Sequence, residues 1–220
     1  FVTFIHEGGH ALASLLTGND VQSLNVSMDG SGAVYSTHGG VLSRLFISSA
    51  GYLGATAFGA LLLVLIRRAF AARMVLVGSA ALILLLTVVY GFFSPLAHGQ
   101  LPGLFTLVAG GALFVALVAA ARFASAKVAT FLVSFLAVQC VLNAIFDLKT
   151  VLFLSTPFGL GAQTDAANMA SATGVPAIVW ALAWGFVAFL ILSVAMRTYS
   201  VSRSEPKQPD LPFDESPLEV

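Results

Sequence analysis

The chain has 220 residues, 58% of them hydrophobic and only 9% charged, with a formal net charge of zero. Soluble domains carry about 25% charged residues, so a mean hydropathy of +0.95 excludes an ordinary soluble core and suits a bilayer. The neutral balance excludes a basic field for nucleic acid, and the single cysteine, Cys140, excludes a disulfide framework or a cysteine-rich zinc motif.

The first apolar run, Phe1 to Leu16, is shorter than the roughly 20 residues a spanning helix needs. It begins without Met, and the expectation is a chain truncated at its N-terminus. Between Thr17 and Gly40, Val21, Leu24, Val26 and Met28 precede Asp29-Gly30-Ser31-Gly32, and Ala33-Val34-Tyr35 follow. This predicts a short β-hairpin, placed at the membrane interface because exposed strand edges are not tolerated in hydrocarbon. Further apolar segments run over about Val41–Ile66, Met74–Phe93, Leu101–Ala121, Val128–Leu148 and Val175–Met196. The fold expected is an all-α polytopic membrane protein of about six transmembrane helices, with the interfacial hairpin after the first. Residues 1–196 form the membrane domain. Residues 197–220, with Pro206, Pro209, Pro212 and Pro217, read as a disordered polar tail.

Basic residues orient such helices. Arg67, Arg68 and Arg73 join segments two and three, Arg122 and Lys127 join four and five, and Arg197, Arg203 and Lys207 follow six. The stretch Thr17 to Gly40 has none. This count puts the tail in the cytoplasm and the hairpin outside.

Within the first segment stands His6-Glu7-Gly8-Gly9-His10, an H-E-x-x-H match. Residues four apart share a helical face, so both imidazoles can reach one metal ion while Glu7 acts as general base toward a metal-activated water. A charged group deep in a membrane helix costs about 2.5–3.5 kcal/mol on insertion scales, so it is rarely idle there. Gly8 and Gly9 leave the helix bare for close approach. A catalytic zinc takes three protein ligands and an open position. The candidates for the third are His38, His98, Asp20, Asp29, Asp147 and Asp165. Asp147 is the best of them, at the end of the fifth segment with Asn143 one turn before it on the same face.

These residues resemble the site-2 protease family of intramembrane zinc metalloproteases, in a compact bacterial branch without a large soluble insert. The resemblance is carried by His6 to Ala13, the hairpin, Ala50-Gly51-Tyr52-Leu53-Gly54, Asn143 to Asp147, and Asp165-Ala166 before Trp180 and Trp184. It implies one zinc ion per chain held by His6, His10 and Asp147, with Glu7 as the base and Asn143 in support. It further implies transmembrane protein substrates cut within or near the bilayer, with the hairpin presenting the substrate as an added strand. The implied location is a bacterial cell membrane. Two features depart from the family pattern. Asp147 is followed by Leu148 where the family has glycine, and the charge count puts the site outside where the family works from the cytosol. The competing reading is an inactive homologue that binds membrane proteins; an intact Glu7 argues against it. Gly51, Gly54 and Gly59 read as helix-packing glycines.

Overall fold

The computed structural model describes residues 1–37, 39–66, 69–154 and 164–201. The first helix, α1 (Val2–Leu16), is followed by β1 (Val21–Val26) and β2 (Gly32–Ser36). Then come α2 (Val41–Leu65) and α3 (Ala69–Leu85), the latter continuing through a π-helical segment, Leu86–Phe93, into the short α4 (Ser94–Ala97). The chain continues with α5 (Leu104–Phe123), α6 (Ala126–Leu154), α7 (Asp165–Thr173) and α8 (Ala177–Val201). Among the described residues, five stretches are long and apolar enough to cross a membrane: Val41–Leu65, Ala72–Ala97, Leu104–Phe123, Ala126–Asn143 and Ala177–Thr198. With the 15-residue α1 they account for the six apolar segments of the sequence. The protein is an integral, multi-pass membrane protein.

Small residues lie inside this bundle and large ones outside. Ala55, Ala72, Ala80, Ala129 and Ala137 are buried, whereas Phe131, Phe135, Phe186 and Phe189 are exposed. Lipid tails are as apolar as leucine, so helices in a bilayer gain by close van der Waals fit and not by hiding apolar bulk. Gly59 illustrates this: a β-carbon there would stand 2.9 Å from Cβ of Cys140 on α6. Cys140 is fully buried, in keeping with its reading as a packing residue.

The antiparallel hairpin pairs Leu24 with Val34 and Val26 with Gly32, and its turn uses Gly30 at φ 85°. Asp29 accepts from the N–H and hydroxyl of Ser31 (2.9 and 2.6 Å). These bonds hold its carboxyl below the usual carboxylate range. The hairpin runs back along α1: its base follows the end of α1, and its turn reaches Thr3, whose hydroxyl donates to the Gly30 carbonyl (2.9 Å). Leu24 and Val26 join the main core with Phe4 and Ile5 of α1. Backbone so placed must find internal partners. On the side of β1 away from β2, the Val26 N–H donates to Thr106 Oγ1 of α5 (2.8 Å), and Ser94 Oγ donates to the Val21 carbonyl. Side chains of α4 and α5 thus stand in for a third strand.

The π-helical segment was not foreseen from the sequence. Pro95 has no N–H to offer the Gly91 carbonyl, so a regular ladder cannot pass through this turn. The segment packs against β1 and sends Leu86 toward Gly8.

Candidate metal centre

The centre is built where α1 crosses α2. A β-carbon on Gly9 would collide with the Ala50 carbonyl, and Gly54 faces the Cα of Gly9 at 3.5 Å from its own β-position. The two glycines of the motif are therefore used for packing, Gly9 on α2 and Gly8 on Leu86. Gly51 does more than pack. A β-carbon there would overlap the Nε2 atoms of both His6 and His10, so this glycine makes the room in which the imidazoles meet. The sequence marked Gly51 only as a packing residue. Its site role shows only once α2 is laid across α1.

His6 Nε2 and His10 Nε2 stand 3.1 Å apart, on the common face expected from their spacing. Oδ2 of Asp165 lies 3.3 Å from His10 Nε2 and 3.6 Å from His6 Nε2. These three form a cluster able to hold a metal ion among the described residues. Asp165 was one of six candidates in the sequence, and not the one preferred. Asp147 lies on α6, and its side chain is outside the described residues; Asn143 is half-buried on the same helix. His38 also lies outside them. His98 and Asp20 pair with each other at 2.9 Å, and Asp29 sits in the hairpin turn.

Local signals explain how Asp165 is held. Thr164 caps α7, its hydroxyl accepting from the Ala167 N–H (3.1 Å), and an acidic residue in the first turn suits the helix dipole. Ala166 and Met169, both buried, pack with Ala181 and Trp184 of α8 and against Leu45, Tyr52 and Leu53 of α2. A Thr-Asp pair opening a short run of Ala and Met was the available clue. It is weak, because such a run also describes an ordinary interfacial helix.

His10 Nδ1–H donates to the Ile47 carbonyl at 2.6 Å. In the neutral ring this leaves a lone pair on Nε2. Nε2 of His10, Nε2 of His6 and Oδ2 of Asp165 then converge on one point. One proton can bridge only one pair, whereas a divalent cation satisfies all three. The spacing agrees: donors about 2.0–2.2 Å from a tetrahedral zinc stand about 3.3–3.6 Å apart, against the 3.1, 3.3 and 3.6 Å found here. Two nitrogens and one oxygen are also a donor set that zinc accepts. The residues present fit the ion.

Glu7 is 5% exposed. Its carboxylate lies against the start of β2, where a β-carbon on Gly32 would stand 2.5 Å from Oε1 and 2.6 Å from Cγ. The edge of β2 and the carboxylate are thus neighbours. An apolar groove of about 780 Å³ lies between α1, α2, α7 and α8, lined by Gly9, Ala50, Leu53 and Met169 among others but by none of the three donors.

A family model described as Peptidase M50B-like matches residues 1–195. This agrees with the resemblance to the site-2 proteases carried by His6 to Ala13. No curated protein and no solved structure matches the chain.

Proposed function

The chain belongs to the Peptidase M50B-like family, and we propose that it is an intramembrane zinc endopeptidase in which His6, His10 and Asp165 hold one ion. The observation that carries this reading is the convergence of two imidazole nitrogens and a carboxylate oxygen beside a buried Glu7. Asp165 takes the ligand role that the family resemblance gave to Asp147. Asn143, on α6, keeps the supporting role that the resemblance gave it.

A zinc ion in this site would polarise the scissile carbonyl and bring the pKa of a water to about 7. Glu7 takes the proton of the attacking water and returns it to the departing amine. Its burial keeps competing bulk water away, and Gly32 lets it lie flat against the hairpin. The Ile47 carbonyl fixes the tautomer of His10, so that Nε2 and not Nδ1 faces the ion. The substrate is a transmembrane protein whose helix unwinds locally and adds as a strand. It pairs with β2, because Thr106 and Ser94 already occupy the outer side of β1. The expected location is a bacterial cell membrane.

Cleavage of a transmembrane test substrate in proteoliposomes checks this. The wild-type protein is expected to cut it, zinc removal to stop cleavage, and Glu7→Gln to lower the rate by about 10²–10⁴-fold, the range for a general base. Cleavage undiminished in Glu7→Gln would overturn the reading. Metal binding without any cleavage would favour the inactive binding module.

A further inference from the structure

The two metal-binding histidines are oriented by different means. His10 is held by a hydrogen bond to the Ile47 carbonyl. The ring of His6 instead meets Tyr52 edge-on, with centroids 5.1 Å apart and planes at 80°. Tyr52 in turn stacks on Trp184 of α8 at 5.2 Å and 19°. Trp184 is 4% exposed, and its Nε1–H donates to Ser49 Oγ at 3.0 Å. Ser49 and Tyr52 are neighbours on one face of α2. Trp184 is therefore fastened to α2 twice, by its indole N–H and by its ring.

From this arrangement we propose that Tyr52 and Trp184 are positioning residues for His6, setting the imidazole toward the ion through a stack that begins on α8. The proposal rests on the reading of His6, His10 and Asp165 as a metal site. Aromatic rings prefer edge-to-face or offset contacts with defined geometry, so such a contact restricts the χ angles of His6 as a hydrogen bond restricts those of His10. The same cluster reaches Asp165. Met169 and Ala166 of α7 pack with Trp184 and Tyr52, and Trp180 Nε1–H donates to Thr173 Oγ1 at the end of α7 (3.2 Å). α8 packs on α2, α6 and α7, and this aromatic cluster lies in its contacts with α2 and α7. Two of the three ligands thus share one support, and it lies on helices far along the chain from the His-Glu motif.

The test is cobalt(II) titration of the metal-free, full-length protein in detergent, followed by its visible absorption. The variants are Tyr52→Phe, Tyr52→Leu, Trp184→Leu and Ser49→Ala, with helicity and cooperative melting as the folding check. Tyr52→Leu and Trp184→Leu are expected to weaken cobalt binding by about 10–100-fold, as outer supports of a metal site do, and to alter the band shape. Tyr52→Phe, which keeps the ring, is expected to stay within about threefold of wild type by the same reasoning. If Trp184→Leu does not fold, Ser49→Ala carries the test, with a several-fold weakening expected. Wild-type affinity and spectrum in folded Tyr52→Leu would overturn the positioning role alone. So would a loss in Tyr52→Phe equal to that in Tyr52→Leu, which would assign the effect to the hydroxyl. No cobalt bound by the wild-type protein would overturn the metal site itself.

Discussion

Gly9 of α1 lies directly on the carbonyl of Ala50 in α2, with no room for a β-carbon between them. The neighbouring Gly8 faces only the end of the Leu86 side chain, 2.8 Å from its β-position. One contact is with rigid backbone and the other with a methyl that can rotate away. Forcing a methyl into a packed contact costs about 1–3 kcal/mol, while Gly→Ala in a helix interior returns about 1 kcal/mol. Gly9→Ala is expected to destabilise the protein by about 2 kcal/mol or to force α1 and α2 apart. Gly8→Ala is expected to be near neutral. Thermal unfolding of both in the same detergent decides it, and equal destabilisation would contradict the packing described.

Gly32→Ala separates the base from the ligands. Its methyl would occupy the space of the Glu7 carboxylate, and the three atoms nearest to it all belong to Glu7. Displacing a catalytic group by about 1 Å can cost 10²-fold in rate. The variant is expected to keep its metal and lose about that much activity. Loss of metal together with activity would show that the hairpin supports the ligands and not the base.

The hairpin base is tied by a charged pair outside the membrane spans. His98 Nε2–H donates to Asp20 (2.9 Å) and Nδ1–H to the Ser94 carbonyl (2.8 Å), so both ring nitrogens act as donors and the imidazolium is favoured. The Ser94 carbonyl, and then Asp20, raise the His98 pKa above its ordinary value. A raised folded-state pKa gives stability that is full below the unfolded value of about 6.5 and is lost as pH rises through the folded value. The stability difference between wild type and His98→Gln is therefore expected to shrink as pH is raised from 5.5 to 9 (about one decade below to well above that reference). A pH-independent difference would contradict the charged tie.

The sequence and the structure agree where the physics is local. The long spans follow from uninterrupted apolar length. His6 and His10 share a face because four residues nearly complete a helical turn. The hairpin was legible in Asp29-Gly30 and its flanking residues. What could not be read depends on contacts between distant segments. Asp165 reaches the histidines from a nine-residue helix too short to announce itself, through Met169 and Ala166 wedged between α2 and α8. Gly51 and Gly32 matter because of what faces them from other elements, and no spacing rule encodes that. The two sides of β1 were also hidden, since Thr106 is 80 residues from Val26.

Metal content per chain of the purified protein tests the central claim most directly, measured with Glu7→Gln, Asp165→Ala and Asp147→Ala alongside. The predicted result is about one zinc per chain in the wild type, as a three-ligand site requires. Glu7→Gln and Asp147→Ala keep that zinc, and Asp165→Ala loses it. Zinc retained by Asp165→Ala and lost from Asp147→Ala would contradict the assignment and return the third ligand to α6.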